Sequence, residues 1–213
     1  MLKLNVPFSR KDEAKSLGAY WDIERKTWYI PRSKYSDITK FKDWINIDFG
    51  DIIIEVPLYL AESMTQCWKC KKQTRVITLA CHIIYDLDTD DNNQKMLYKQ
   101  ELGFSFISNI EKLPNDILNI MQKHSVDYKQ GYTKASDTSY FNNHCSNCNS
   151  VQGDFFLHEE PGGTFCPVED EEIKKITLYK LDINYDLIVR GSYSWANNSD
   201  EIFILSSKKT ISV

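Results

Sequence analysis

Two Cys-x-x-Cys pairs, Cys67-Trp68-Lys69-Cys70 and Cys145-Ser146-Asn147-Cys148, constrain this 213-residue chain more than any other feature. Two thiolates one tight turn apart occupy two corners of a tetrahedron, and two such knuckles complete a four-sulfur zinc site with Zn–S bonds of about 2.3 Å. Seventy-four residues separate the pairs, far more than in a compact zinc ribbon. A shared ion would therefore tie distant stretches of chain into one unit. Each pair reads as a knuckle followed by a strand, with Thr74-Arg75-Val76-Ile77-Thr78-Leu79 after the first and Phe155-Phe156-Leu157 after the second. That repeated order favours metal over a redox dithiol or a disulfide framework, which the motif by itself leaves open.

Cys81 lies in an apolar run, where a small buried thiol is ordinary. Cys166 follows the turn Glu160-Pro161-Gly162-Gly163 and is close enough in sequence to approach the second knuckle. His82, His144 and His158 are chemically competent ligands, but core or surface roles are the expectation for all five. His144 abuts Cys145 and is placed to orient the site from outside it. No secretory leader and no run of about 20 apolar residues stands out. The expectation is a cytoplasmic protein with no membrane partner, where reduced thiols suit metal binding.

Residues 1–49 form a separate compositional unit. Leu4-Asn5-Val6-Pro7-Phe8 reads as a strand ending at a turn, and Ser9 as the cap of a helix with Asp12 at its third position. Gly18 suits a helix stop. Tyr20-Trp21-Asp22 and Thr27-Trp28-Tyr29-Ile30 flank a mostly polar turn, which signals a hairpin closed by Pro31.

This stretch resembles the DUF5710 family. The matching residues are Leu4-Asn5-Val6-Pro7-Phe8, Lys11-Asp12-Glu13-Ala14-Lys15, Leu17-Gly18-Ala19, Trp21-Asp22 and Lys26-Thr27-Trp28-Tyr29-Ile30-Pro31. The family accompanies plasmid-type primases and other DNA-processing proteins, so the resemblance implies a nucleic-acid role. Tyr20 departs from the pattern, because relatives often carry a basic residue there.

Charge leans the same way. Residues 1–50 hold ten Lys/Arg against seven Asp/Glu, and the remainder holds 16 against 23, which together give the net −4. Arg10, Lys11, Arg25 and Lys26 are the candidate phosphate contacts. Trp21, Trp28 and Tyr29 offer bases a stacking platform, although so small a unit has little else to bury, and core is the expectation for both tryptophans.

Residues 50–213 read as a β-rich domain. The segments expected to be strands are 52–60, 76–85, 173–181, 187–195 and 201–205, the last three forming an antiparallel meander. Pro114 opens a helix through Lys123. Residues 86–93 and 125–140 read as polar loops, and Glu169-Asp170-Glu171-Glu172 as a solvated acidic run. The aspartates of 86–93 do not make a calcium loop, because Asp91 takes the glycine position and Leu97 the bidentate glutamate position. Asp154 and His158 would share one face of a strand.

The whole is an α+β protein: a strand–helix–hairpin module on a mostly antiparallel β domain stapled by zinc at Cys67, Cys70, Cys145 and Cys148. The leading functional expectation is a non-enzymatic accessory protein, bacterial or of mobile-element origin, that binds DNA or RNA. One rival is a protein-binding adaptor or inhibitor, for example of a basic nuclease, using the acidic portion. The other is a hydrolase built on Asp154 and His158.

Overall fold

A computed structural model describes residues 1–45, 50–89, 95–100, 103–133, 138–194 and 199–211. The chain opens with strand β1 (Leu2–Leu4), helix α1 (Lys11–Ser16) and the hairpin β2 (Tyr20–Asp22) and β3 (Thr27–Ile30). The strands form an antiparallel sheet in the order β1-β3-β2. Gly18 has φ +101°, a left-handed geometry that costs glycine little, and ends the helix as expected. Ser9 is not the cap. It lies inside a 3₁₀ turn, Phe8–Arg10, in which the Arg10 N–H donates to Pro7 O at 2.9 Å, and α1 starts beyond it without a side-chain cap.

After Pro31 the chain winds through a 3₁₀ run, Arg32–Phe41. Its buried residues are Tyr35, Ile38 and Phe41. Three residues per turn put those side chains on a single face. They pack with Leu2, Leu4, Trp28, Ile30, Trp44 and Ile45. This core is closed from outside the module by Ile53. The expected module end at residue 49 lies outside the described residues.

The larger sheet takes β4 (Ile52–Ile54), β5 (Tyr59–Gln66), β6 (Gln73–Cys81), β7 (Ile84–Thr89), β8 (Lys95–Gln100) and β9 (Ser105–Lys112). Helix α2 (Asn115–His124) leads into β10 (Tyr128–Thr133), β11 (Thr138–His144) and β12 (Val151–Gln152). Helix α3 (Asp170–Ile173), β13 (Thr177–Leu181), β14 (Leu187–Tyr193), α4 (Ser199–Leu205) and β15 (Ser207–Ile211) complete the described elements. The strand order is β15-β13-β5-β6-β9-β14-β4-β7-β8, with β10, β11 and β12 branching from β9. The sheet curls into a half-barrel.

Alternation along the strands feeds different cores from one backbone. Ile52 and Ile54 join the main core with Leu60, Ile77, Leu79, Ile117 and Met121, while Ile53 points into the module. Tyr59, Ala61, Val76 and Ala80 face the other way, toward Phe104, Phe106, Phe165 and Ile202. β14 sits where the sheet changes partners: 187–189 pair with β4, and 190–193 pair with β9 across a register shift. Gly191 lies at that shift, and a Cβ there would stand 2.9 Å from Ser108 O. The close approach requires glycine.

Several expectations are corrected. The run 76–85 is two strands, broken at His82 and Ile83, and β7 carries the start of the expected polar loop as far as Thr89. Asp90, Asp91, Asn92, Asn93 and Trp195 lie outside the described residues. The described residues within 125–140 form β10 and the start of β11 rather than one loop. Phe155–Glu159 is a π-helical turn rather than a strand. Residues 201–205 belong to α4, whose first turn holds Asp200 and Glu201 beside the positive end of the helix. The meander is absent among the described residues, because β13 lies between β5 and a parallel β15 while β14 joins β9 and β4. Glu169, Asp170 and Glu171 are solvent-exposed as expected, and Glu169 and Glu172 in addition form a capping box for α3.

Candidate metal centre

Each cysteine pair occupies the loop of a β-hairpin. Gln66 pairs with Gln73 at the root of the first, and His144 with Val151 at the root of the second. The internal hydrogen bonds repeat. Cys67 N–H donates to Lys72 O and Lys71 N–H to Cys67 O, both at 2.9 Å; Cys145 N–H donates to Ser150 O and Asn149 N–H to Cys145 O, both at 2.8 Å. Lys71 and Asn149, each next after its second cysteine, adopt left-handed backbone at φ 62° and 57°. Two copies of one knuckle therefore face each other. Their docking is fixed where Ser146 N–H donates to Thr74 Oγ1 at 3.1 Å and Asn147 Nδ2 donates to Gln73 O at 3.3 Å.

The four sulfurs lie within 4.8 Å of one another. Cys67 Sγ is 3.7 Å from Cys148 Sγ, and Cys70 Sγ is 3.6 Å from Cys145 Sγ. A tetrahedron with bonds of about 2.3 Å has edges of about 3.8 Å, so these separations fit a four-thiolate ion. They are well beyond the ~2.05 Å of a disulfide. Burial opposes ionisation of Cys145, yet the backbone N–H groups of Asn147 and Cys148 and hydrogen bonds from the neighbouring thiols bring it down to about 6. The Lys72 N–H favours a Cys70 thiolate, but burial and the other three sulfurs push that thiol up to about 11. Thiolates this close repel one another unless a cation sits between them. Gln152 Nε2 also donates to Cys67 Sγ at 3.5 Å, from outside the tetrahedron.

The other five candidate ligands stay outside this cluster. Cys81 is fully buried, which pushes its thiol up to about 12. His82 packs edge-on to Tyr59, Phe104 and Phe203. His144 Nδ1 lies 3.3 Å from Asn142 O, and Cys166 bonds through its backbone within the Gly162–Gly163 turn.

Asp154 and His158 share one helical turn rather than a strand face. Both are sealed, at 5% and 2% exposure. Asp154 Oδ2 accepts the Asn109 N–H at 2.7 Å, and the His158 ring tilts over Phe165 with centroids 5.0 Å apart. Burial raises the Asp154 carboxyl to about 7 and lowers His158 to about 3. Neither offers a substrate access, which gives no support to a hydrolase. The Asp154 shift carries a pH prediction. Its folded pKa lies above the ~3.9 of an unfolded aspartate, so its contribution is fully present below about pH 4 and is lost as pH rises through 7. Asp154→Asn, which keeps the acceptor for Asn109, is expected to stabilise the protein by roughly 2–4 kcal/mol at pH 8 and by little at pH 4. Urea melts at both pH values measure this, and equal effects at the two would refute it.

On the module, the expected phosphate contacts divide into two kinds. Arg10 is committed to Glu13 and Asp43, at 2.7 and 2.9 Å, and lies over the Trp44 ring. Arg25 is held by Asp22 at 2.7 Å. Lys11 stands over the Phe8 ring, and Lys26 is exposed in the hairpin turn at φ 50°. Trp28 is core, as expected, but Trp21 is 44% exposed and Phe8 82% exposed. These rings, with Lys11 and Lys15, line an open groove of about 320 Å³. Phe8 and Lys15 were missed by sequence reasoning. The legible signal was the four-residue spacing of Lys11 and Lys15, which stacks both on one side of α1.

No solved structure matches the chain. Two curated relatives, both DNA primase TraC of Escherichia coli, are each 49% identical to it over 41 residues, 19% of its length. That stretch spans only 3% of one primase and 4% of the other. Residues 1–46 match the family described as Domain of unknown function (DUF5710).

Proposed function

We propose that this is a non-enzymatic accessory protein, bacterial or of mobile-element origin and cytoplasmic, that binds nucleic acid through its N-terminal module. Zinc held by Cys67, Cys70, Cys145 and Cys148 stabilises the fold that carries the module. The observation behind this reading is the groove of Phe8, Trp21, Lys11 and Lys15, an exposed aromatic surface beside two lysines with no acidic partner among the described residues. Aromatic rings stack on unpaired bases while cations take up phosphate charge. The similarity of the N-terminal region to a DNA primase supports a nucleic-acid ligand. Arg10 and Arg25 contribute less than Lys11 and Lys15, since their charge is already neutralised.

Fluorescence anisotropy with labelled single- and double-stranded DNA and RNA, titrated across salt, tests this. Single strands are expected to bind at low salt and to weaken as salt rises. Lys11→Glu with Lys15→Glu should flatten the log–log salt slope by about 1.4, two contacts at roughly 0.7 each. Trp21→Ala should cost about 1–3 kcal/mol. Absence of binding at low salt would sink the reading and direct the search to a protein partner.

A further inference from the structure

A second aromatic face lies on the first knuckle. Trp68 is 60% exposed, yet its ring N–H donates to Val151 O at 2.7 Å. An exposed indole held in one orientation is a preformed stacking surface, because its rotamer freedom is already lost before any ligand arrives. Phe156, 62% exposed on the π-helical turn, borders the same small groove of about 80 Å³, lined also by Thr65, Gln66 and Gln152. No charged side chain lines it among the described residues.

Positive charge surrounds the tryptophan. Lys69, Lys71 and Lys72 are all exposed, and none has an ion pair among the described residues. The left-handed turn at Lys71 fixes the backbone that carries them. Gln152 ties the groove wall to the metal centre, donating to Cys67 Sγ at 3.5 Å and to Ser150 O at 2.7 Å.

We infer that the Trp68 knuckle is a second nucleic-acid contact, specific for an unpaired strand. One base stacks on Trp68 beside Phe156, and the flanking phosphates lie on Lys69, Lys71 and Lys72. A flat indole accepts any base, so this contact is tolerant of sequence, and a duplex offers it no unpaired base. The inference rests on the nucleic-acid reading above but uses a different surface.

The test uses the full chain, a labelled oligothymidylate and a duplex of equal length, with metal content measured for every variant. Trp68→Ala is expected to weaken single-strand binding by about five-fold or more, the low end of a base–aromatic stack, and to leave duplex binding unchanged. Trp68→Phe should recover most of the loss. Photo-crosslinking of an iodouracil-substituted strand should map to Trp68. Wild-type affinity in a metal-replete Trp68→Ala, with Lys11→Glu and Lys15→Glu still impairing binding, overturns this inference and spares the module reading. Loss of all single-strand binding by the wild type overturns both. If Trp68→Ala loses its metal, Lys69→Gln with Lys72→Gln carries the test, and an unchanged affinity and salt slope overturns the second contact.

Discussion

With Cys67 replaced by serine, the protein is expected to lose its metal and, with it, the attachment of β11 and β12 to the sheet. Outside the knuckles, Phe141 and Tyr128 pack on the main core, but backbone pairing to the sheet is thin. A single bridge, Phe141 to Ile110, links β11 to β9. The Asn143 side chain stands in for a strand, accepting the Ile77 N–H at 2.8 Å and donating to Ile77 O at 3.0 Å. Structural zinc sites bind with roughly 10–16 kcal/mol at neutral pH, while whole domains are stable by about 5–15 kcal/mol. Losing the ion therefore removes an energy comparable to the entire stability. Elemental analysis should give about one zinc per chain for the wild type and for Cys166→Ser, and essentially none for Cys67→Ser. Thermal melts should lose cooperativity in Cys67→Ser and in wild type treated with a chelator. A metal-free protein with the wild-type melting curve would refute the structural role.

Asp186→Ala is expected to cost about 3 kcal/mol, the lower end for breaking a buried ion pair, because Arg32 remains partly exposed. Asp186 is buried, and its carboxylate takes Arg32 Nε at 3.0 Å and Nη2 at 2.8 Å, the Met1 amino group at 2.9 Å, the Tyr35 hydroxyl and the Val56 N–H at 3.0 Å. Three of the four donor residues belong to the module, so one carboxylate ties it to the sheet. Burial alone would raise the carboxyl, but the Arg32 pair and the other donors outweigh it and hold it below the usual range. The folded pKa is thus below the unfolded one. The stabilisation is present above about pH 4 and is lost as pH falls through the folded value. Urea melts of wild type and variant should converge below pH 4. A gap that persists unchanged in acid, or one under about 1 kcal/mol at pH 7, would contradict this assignment.

The four-cysteine cluster was legible in the sequence because each Cys-x-x-Cys encodes a local turn that neighbouring residues decide, although the docking of the two turns through Thr74 and Gln73 was not. The β2–β3 hairpin and α2 were legible for the same reason, through turn chemistry and helical periodicity. Phe155-Phe156-Leu157 misled because strand propensity reports side-chain packing, and here Leu157 and His158 turn inward while both phenylalanines face solvent. The strand β10 hid behind polar residues and Gly131, which lies against Asn142 across the pair. At 199–205 the β-branched isoleucines outweighed a good acidic start for a helix. Asp186 was invisible for a different reason: its side-chain partners are 151 and 154 residues away. No window along the chain contains the hub. The module groove was half legible, since its lysines obey helix spacing but the exposure of Trp21 depends on what the sheet leaves uncovered.

The long interval between the knuckles also sets a timetable for synthesis. At roughly 5–20 residues per second, the 74 residues that follow Cys70 take about 4–15 s to emerge before Cys145 and then Cys148 can complete the sulfur tetrahedron. Asp186, the partner of Arg32 and Tyr35, appears later still. The nascent N-terminal half thus leaves the ribosome with two of the four clustered cysteines, and with Glu55 but not yet Asp186 to pair with Arg32. Loading of a four-sulfur ion is consequently expected only once Cys148 has emerged, and a chain arrested before residue 145 is expected to lack it.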